Sequence, residues 1–331
     1  MRCPTLNELP PGPSYRTGWP WTEESSRLPD LMRDGSPWPR ISIVTPSYNQ
    51  GSFIEETIRS VLLQGYPNLE YIIMDGGSTD GSVEIIEKYG RWLDFWISEK
   101  DEGQADAINK GLERATGQIA NWLNSDDLFY LGALRRVATA YAADKTAALY
   151  NGSGLRIDRH GNYGSPYSAS RLSAEQALEG KVALPQPAIF FRRDCWLNHH
   201  KLKNHFYYAI DTDLFLHCLI TGHCRLISGP PLALMRIHED AKTAKVTAMK
   251  PMFLERYEIF SELQKNPSTP QHLIKPIQYG LNRESLRLAR VILREGGHWL
   301  QALLWFIRAL RYSPKNTLYR FPDILLGNFH K

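Results

Sequence analysis

Short apolar runs alternate with polar turns and amphipathic segments between residues 41 and 127. Apolar runs at 41–45, 69–74 and 119–123 are each followed directly by polar residues. Runs of this length bounded by turn residues are typical of buried strands. Segments 52–64, 82–89 and 104–115 have helical spacing, and Ser52 with Glu55 predicts a capping box for the first.

This alternation of strand and helix predicts an α/β fold with a parallel sheet and right-handed crossovers. In an open parallel sheet, the ligand crevice lies outside the carboxyl ends of the strands. The polar residues that follow the predicted strands are therefore expected to converge on one place. Neither GxGxxG after the first strand nor GxxxxGK[ST] occurs, which argues against a dinucleotide site or a P-loop.

Three regions are predicted. Residues 1–40 form a Pro- and Trp-rich arm packed on the core, since eight of the 21 prolines lie there and such spacing excludes a long helix. Residues 41–250 form the α/β domain, with halves at 41–127 and 128–250. Residues 251–331 form a basic, helical C-terminal region.

Charge is distributed unevenly along the chain. The net charge is +4, but residues 251–331 hold 12 Lys+Arg and 6 Asp+Glu, so the basic character belongs to this region. Four cysteines without CxxC spacing predict reduced thiols. Neither a signal peptide nor a long apolar span is recognised, so we expect a cytoplasmic protein, with attachment to the inner face of the cell membrane open.

Two adjacent aspartates, Asp126 and Asp127, follow the strand at 119–123. One of them could bind a hard cation while the other accepts a hydroxyl hydrogen bond, as at diphosphate sites with Mg²⁺ or Mn²⁺. Alternatively, both merely cap a helix that begins near Leu128. Asp75, which precedes two glycines, could likewise belong to a simple turn.

Four motifs occur in register over roughly residues 40–240. They are Thr45-Pro46-Ser47-Tyr48-Asn49, Asp75-Gly-Gly-Ser-Thr-Asp80-Gly, Asn109-Lys110-Gly111 and Asn124-Ser-Asp126-Asp127. In order and spacing this set resembles the family-2 inverting glycosyltransferases of the GT-A fold. The resemblance implies a Rossmann-like, mostly parallel sheet flanked by helices, with a nucleotide-sugar lying across the strand ends.

The resemblance also implies roles for individual residues. Tyr48 would border the base, Asp75 would bind its edge, Asp126 would bind ribose or sugar, and Asp127 would hold the metal on the diphosphate. Further donor-side residues implied by the motifs are Thr45, Pro46, Asn49 and Lys110. Many relatives have Ala-Arg-Asn on the third helix, where this chain has Ala107-Ile108-Asn109, so Asp106 is expected to face the donor instead.

The acceptor side is expected in the second half of the domain. By resemblance, Asp211 takes the proton of the acceptor hydroxyl, and His238 completes the metal shell. An imidazole is a more natural ligand for Mn²⁺ than for Mg²⁺. From the residues alone, Asp211 could instead be a helix cap and His238 an ordinary strand-end histidine.

The C-terminal region has two helical patterns. Four arginines at positions 283, 287, 290 and 294 share one helix face, and an apolar run from Trp299 to Leu310 follows, too short to span a bilayer. These helices could lie on an anionic membrane or pack on the catalytic domain with solvated arginines. Nucleic acid is not expected, since no recognition motif accompanies the charge.

Together with these observations, the family resemblance implies a metal-dependent inverting glycosyltransferase that uses Mn²⁺ or Mg²⁺. Its donor would be a nucleotide-diphosphate sugar, with UDP-sugars favoured, and its acceptor a glycan or lipid-linked hydroxyl in polysaccharide assembly. Two alternatives stay open: a sugar-phosphate nucleotidyltransferase, and a non-catalytic sugar- or membrane-binding module.

Overall fold

The computed structural model describes residues 1–199, 201–242, 248–296 and 298–326, without the side chains of 321–326. The chain divides into two compact units. The first comprises Met1–Arg171, Pro185–His205 and His217–His238, and the second comprises Leu172–Leu184, Phe206–Leu216 and the chain from Glu239. The last five residues of the predicted 251–331 region lie outside the described residues. The region boundaries predicted from the sequence stay a prediction.

The first unit contains the sheets. Its strands are β1 Ile41–Ser47, β2 Leu69–Asp75, β3 Phe95–Ser98, β4 Ile119–Trp122, β5 Leu128–Phe129, β6 Leu149–Gly152, β7 Gly154–Ile157, β8 Tyr163–Tyr167, β9 Ile189–Arg192, β10 Cys224–Ile227 and β11 Ala233–Arg236. Among the described residues, seven strands form a sheet in the order β10-β6-β9-β4-β1-β2-β3, and four form a smaller sheet, β5-β11-β7-β8. In the larger sheet β9 alone runs antiparallel to its neighbours, so the mixed α/β, mostly parallel fold is confirmed.

Helices cover the larger sheet and build most of the second unit. They are α1 Ile54–Leu62, α2 Ser82–Tyr89, α3 Gln104–Arg114, α4 Ala133–Ala143, α5 Ala174–Glu179, α6 Arg193–Asn198, α7 Ile210–Thr221, α8 Met249–Lys265, α9 Ile274–Arg294, α10 Trp299–Tyr312 and α11 Pro314–Leu326. α7 begins in the second unit and ends in the first. Among the described helices, none combines the length and apolar character that crossing a bilayer requires.

The N-terminal arm belongs to the first unit and packs on α1 and β5. The indole of Trp19 donates a hydrogen bond to the Phe129 carbonyl at 2.9 Å. Arg59, only 1% exposed, donates to the carbonyls of Pro10 and Pro20. A guanidinium can be buried here because the proline-rich arm leaves its carbonyls free of regular secondary structure.

Two local predictions are wrong. Phe53, not Ser52, occupies the N-cap of α1, and it makes no side-chain capping bond. Instead the Phe53 amide donates to the Gln50 carbonyl, so the preceding turn leads directly into the helix, and Glu55 accepts from Tyr89. No helix begins near Leu128, because that segment pairs with β11 as a strand.

Candidate functional site

The carboxyl ends of β1, β2, β3 and β4 lie at one edge of the larger sheet. Within these parallel strands Ser47 is opposite Asp75, and Asp75 is opposite Ser98. β2 lies on one side of β1 and β4 on the other, which makes the space between β1 and β4 a topological switch point. Ligands of open α/β sheets bind at such points. The loops carrying the predicted donor residues therefore share one edge.

Asp75 is buried and organises the turn after β2. Its Oδ2 accepts hydrogen bonds from the amides of Gly77 and Ser78 at 3.1 and 2.9 Å and from the Ser98 hydroxyl at 2.7 Å. Its Oδ1 accepts from the Ser78 hydroxyl at 2.6 Å. The turn predicted from the two glycines is thus present, with Gly77 at φ 82. Binding of a base edge by Asp75 stays a prediction.

The loop after β1 is tied to this turn. Asn49, at φ 52, donates through its amide to the Ser78 hydroxyl, and its side-chain oxygen accepts from the Thr79 amide at 2.9 Å. Tyr48 is 62% exposed, as a ring free to stack on a base must be. Thr45 is buried within β1.

Thr45 and Pro46 lie inside the strand. Both are buried, and the Thr45 hydroxyl lies 3.1 Å from the Tyr71 hydroxyl. Their motif positions therefore hold β1 in place. Contact of either residue with a donor stays a prediction.

A charged cluster follows β3. The Lys110 ammonium lies 2.9 Å from Asp106 Oδ2 and 3.9 Å from Glu99 Oε1. A Cβ on Gly76 would lie 2.7 Å from Asp101 Oδ2, so Asp101 reaches the turn that follows Asp75. Burial, and then the nearby Asp106 carboxylate, raise the pKa of Asp101. Sequence reasoning missed Asp101, although its place after a strand end was the signal.

Antiparallel pairing of β5 with β11 brings together residues more than one hundred positions apart. Leu128 pairs with Leu234, and Phe129 with Ala233. Continuing that register past Leu128 places Asp127 and Asp126 beside the end of β11. The roles predicted for Asp126, Asp127 and His238 toward sugar and metal stay predictions.

Asp127 is held by the protein on every oxygen. Its Oδ1 accepts from the Arg236 amide at 2.9 Å, its Oδ2 from the Asn124 side chain at 3.3 Å, and its carbonyl from the Thr57 hydroxyl at 2.8 Å. The residue is 3% exposed. Burial, and then the neighbouring Asp126 carboxylate, raise its pKa well above the ordinary value.

Asp126 faces His238 instead. His238 Nε2 lies 3.1 Å from Asp126 Oδ2, with side-chain exposures of 1% and 21% respectively. The imidazole packs on the Phe53 ring, with the two ring centres 4.8 Å apart. Its Nδ1 is buried without a hydrogen-bond partner among the described residues. This pair joins the β4 loop to the chain after β11.

Arg236 fixes the loop from behind. It is 3% exposed and donates to the Asp126 carbonyl at 2.9 Å, to the Asp158 carbonyl at 3.1 Å and to Glu56 Oε2 at 2.9 Å. Its guanidinium lies 5.0 Å from the centre of the Phe53 ring. Glu56 lies opposite the apolar face of α1, where an exposed acid is expected, so no sequence pattern points to this buried pair.

A chain of amides connects the aspartate loop to β9. The Asn124 side chain accepts from Gln104 at 2.8 Å and donates to Gln186 at 3.3 Å. Gln186 in turn donates to the Trp122 carbonyl at 2.5 Å. Gln186 lies in the half of the domain, residues 128–250, that is predicted to carry the acceptor side. The geometry shows it bracing β4, a contact that the sequence does not reveal.

Asp211 belongs to the second unit, whereas Asp75, Asp126, Asp127 and His238 belong to the first. Its Oδ1 accepts from the Thr212 amide at 2.7 Å. Burial raises its pKa, against the lowering effect of the Arg256 guanidinium. The assignment of Asp211 as the base stays a prediction.

The turn that leads to Asp211 is clamped by α8. Glu255 accepts hydrogen bonds from three successive amides, those of Tyr207, Tyr208 and Ala209, at 2.9, 2.7 and 2.8 Å. Three amide donors on one carboxylate fix the backbone of this turn. Sequence reasoning missed Glu255, which lies on a helix more than 40 residues away.

Across the part of the chain that the structure describes, no group of three or more His, Cys, Asp or Glu side chains could hold a metal ion. The predicted ligands Asp127 and His238 lie in the same loop region, but His238 is paired with Asp126. All four cysteines are buried and none of them forms a disulfide.

Curated relatives share the central segment. The chain is 45% identical over 93 residues to TuaG of Bacillus subtilis (strain 168), whose name assigns it to teichuronic acid biosynthesis, covering 27% of this chain and 36% of TuaG. It is 30% identical over 156 residues to the uncharacterized glycosyltransferase Rv1514c of Mycobacterium tuberculosis (strain ATCC 25618 / H37Rv), covering 46% of this chain and 58% of that protein. The chain thus spans between a third and three fifths of these relatives.

Solved structures share the fold over most of the chain. S. aureus TarS 1–349 in complex with UDP-GlcNAc superposes with a TM-score of 0.61 at 15% identity, covering 88% of this chain and 93% of that one. The mannosyltransferase PcManGT from Pyrobaculum calidifontis, in complex with GDP-Man and Mn²⁺, gives 0.57 at 18% identity, covering 92% and 89%. These likenesses support the GT-A fold.

The family model described as Glycosyl transferase family 2 matches residues 42–208. This segment holds the motifs at the ends of β1, β2 and β4 and ends just before Asp211. It covers half of the chain, and the relatives are glycosyltransferases. The chain therefore belongs to glycosyl transferase family 2.

Proposed function

We propose that this enzyme is a metal-dependent inverting glycosyltransferase that transfers a sugar from a nucleotide-diphosphate sugar to a hydroxyl acceptor. The observation that carries the proposal is the Asp126–His238 pair at the switch point of the sheet. It sets a carboxylate beside an imidazole that packs on Phe53, in the segment that leads from β1 to α1. Family membership favours this activity over a nucleotidyltransferase or a non-catalytic binding module.

The Asp126–His238 pair fits a divalent cation. A carboxylate oxygen and an imidazole nitrogen 3.1 Å apart are a donor set that Mn²⁺ accepts more readily than Mg²⁺. A bound cation would supply positive charge for the departing diphosphate. His238 Nδ1, buried without a partner among the described residues, could keep the ring proton while Nε2 ligates.

This geometry supports Asp126 rather than Asp127 as the carboxylate ligand. Asp127 has its oxygens engaged by the Arg236 amide and Asn124, and it is less exposed than Asp126. We therefore assign Asp127 to holding the loop, with Asp126 and His238 at the cation. Ribose or sugar binding by Asp126, as the family resemblance implies, could accompany this role.

Asp211 is the proposed base. Its carboxylate takes the proton of the acceptor hydroxyl while the acceptor oxygen bonds to the anomeric carbon. The bond from that carbon to the diphosphate oxygen breaks on the opposite face, so configuration inverts and the nucleoside diphosphate leaves. Burial raises the pKa of Asp211, which brings a carboxylate closer to the range useful for a base.

The structural relatives support a nucleotide-sugar donor, since their complexes contain UDP-GlcNAc, UDP and GDP-Man. Among these we favour a UDP-sugar. Teichuronic acid biosynthesis in the name of TuaG supports an acceptor hydroxyl in cell-surface polysaccharide assembly, carried on a glycan or a lipid.

A thermal-shift panel tests the proposal. UDP-, GDP- and dTDP-sugars are added with Mn²⁺ or with EDTA, and release of nucleoside diphosphate is followed in parallel. We expect one nucleotide class to raise the melting temperature with Mn²⁺ and to lose most of that effect with EDTA, because a ligand that binds only the folded state stabilises it by mass action.

Asp126→Ala and His238→Ala should remove the Mn²⁺-dependent part of the shift. The matched control is Asp240→Ala, another acid close in sequence to His238. If no nucleotide-sugar stabilises the protein under any condition, the proposed donor class is wrong. If the shift is equal in EDTA, the metal assignment is wrong and the donor assignment stands.

A further inference from the structure

The helix α10 has two different faces. Its inner face packs on α9: Ala302 and Ala309 are buried, and Trp305 and Phe306 lie against the α9 side chains. The Asn282 side chain of α9 also donates to the Ala309 carbonyl at 2.9 Å. This face accounts for the folding of the helix within the second unit.

The outer face of α10 is apolar and exposed. Its residues are Trp299 at 65%, Leu300 at 55%, Leu303 at 43%, Leu304 at 60% and Ile307 at 51% exposure. Positions 299, 303 and 307 are four apart with 300 and 304 beside them, so they form one continuous stripe. On α11, Leu318 and Tyr319 are 62% and 83% exposed. Contiguous exposed apolar side chains of this kind mark an interaction surface.

Positive charge accompanies the stripe. Residues 294–320 contain five Lys or Arg and a single acid. Arg308, Arg311 and Lys315 are exposed, and the Arg308 guanidinium lies 4.4 Å from the centre of the Trp305 ring. The stripe and these cations together define what we call the α10 face.

The arginines of α9 contribute differently from what the sequence suggests. Arg283 is 12% exposed and its guanidinium lies 2.7 Å from the buried Glu284, while Arg287 lies 3.1 Å from the same carboxylate. Burial lowers the pKa of Arg283. Arg283 is therefore an internal partner of Glu284, whereas the Arg287 side chain is 39% exposed and Arg294 is exposed, so only part of this arginine face is solvated.

We propose that the α10 face docks on an anionic lipid surface. Apolar side chains would enter the interface while Arg308, Arg311 and Lys315 contact the headgroups, as in helices that lie in the membrane plane. At 14 residues the helix is about 21 Å long, enough to place the whole stripe in the interface. A second copy of the chain would instead bring the same positive charge against it.

Vesicle flotation tests this proposal with the intact 331-residue chain. Vesicles of phosphatidylcholine alone are compared with vesicles of equal parts phosphatidylcholine and phosphatidylglycerol. We expect binding to the anionic vesicles only, with an affinity that falls as salt is raised. Leu300→Ser combined with Leu304→Ser should weaken binding at least about tenfold, since two exposed leucines lose their burial in lipid. Arg308→Gln should weaken it about fivefold.

Leu197→Ser is the matched control, because this leucine of the first unit is also 50% exposed; it should bind as the unchanged protein does. Each variant should have the melting temperature of the unchanged protein, which shows that weaker binding is not caused by misfolding. Equal binding to both vesicle types, or no effect of the leucine pair, would overturn the proposal. The proposal would also be overturned if light scattering showed that the unchanged protein is a dimer and that the Leu300→Ser, Leu304→Ser variant is a monomer. None of these outcomes depends on the sugar chemistry.

Discussion

The strand-end edge of the first unit and the α10 face of the second depart from ordinary burial in opposite directions. At the edge, Asp75, Asp127 and His238 are polar and buried, whereas on α10 Trp299 and Leu304 are apolar and exposed. Buried polar groups persist where hydrogen bonds satisfy them, and exposed apolar groups accumulate where another surface covers them. The strand-end edge is held by hydrogen bonds within the protein, whereas the α10 face is suited to binding another surface.

Asp211→Asn should have the largest effect on chemistry. We expect transfer to fall by about two to four orders of magnitude, while nucleotide-sugar binding is retained, because the amide keeps the shape and loses the base. Product formation measured beside donor-induced thermal shift separates the two. Normal turnover by this variant would remove Asp211 as the base.

The same variant has a predicted pH signature. Burial raises the pKa of Asp211 above its ordinary 3.8, so the ionised carboxylate opposes folding, and its cost appears as pH rises from that value through the raised pKa. At neutral pH Asp211→Asn should therefore unfold at the same or a higher temperature than the unchanged protein. The gain should vanish in acid. Thermal unfolding across pH measures it, and a loss of stability at neutral pH would contradict the assigned direction.

Arg236→Met tests whether the edge depends on its buried network. The change removes the 2.9 Å partner of the buried Glu56, whose remaining cation Arg16 lies 3.9 Å away, and takes a donor from the Asp126 carbonyl. This should cost about 3–5 kcal/mol of unfolding free energy. Urea unfolding measures it. Arg225→Met, at an exposed arginine of β10, is the control and should change stability little. Equal losses in both variants would show that the network does not matter.

Asp127→Ala and Asp126→Ala should have different effects, although both residues lie in the same loop. Removing Asp127 leaves the buried Arg236 amide without its acceptor and leaves the Asn124 side chain with only Gln186 to donate to, at a cost of about 1–3 kcal/mol with or without metal. Removing the more exposed Asp126 should cost less and should abolish the Mn²⁺-dependent shift. Thermal denaturation in Mn²⁺ and in EDTA reads out both. The opposite pattern would return the metal to Asp127.

Glu255→Gln should have the smallest effect. Glu255 accepts hydrogen bonds from three amides, so its replacement should loosen the turn before Asp211. The unfolding free energy should fall by only about 1 kcal/mol, because this turn is partly open to water. Glu87→Gln, at an exposed acid of α2, is the control. Urea unfolding compares the two, and identical stabilities would mean that the clamp contributes nothing.

Much of the first unit could be predicted because its information is local. The strands ending at Ser47, Asp75 and Trp122 follow from apolar runs bounded by turn residues, and parallel order follows from the helices between them. The edge itself then follows, because parallel strands end together. Motif spacing added the family, which the match over residues 42–208 bears out.

Other features could not be predicted, because their partners are distant in sequence. Gly111 illustrates this: a Cβ there would lie 2.4 Å from Val44 Cγ1, so the glycine of the third motif serves the packing of α3 on β1. Asn109, in the same motif, exchanges hydrogen bonds with the backbone of Leu202. A motif read in sequence cannot separate such packing roles from ligand contacts.

The sequence by itself determined the order of strands and helices, the polar strand ends and the apolar run of α10, since each depends on periodicity among neighbouring residues. Only the tertiary structure decided which aspartate of the doublet faces His238 and which face of α10 stays open. The reason is physical. The pairing of β5 with β11 and the packing of α9 against α10 bring together residues that are distant in sequence. Local periodicity does not say which of these residues become neighbours.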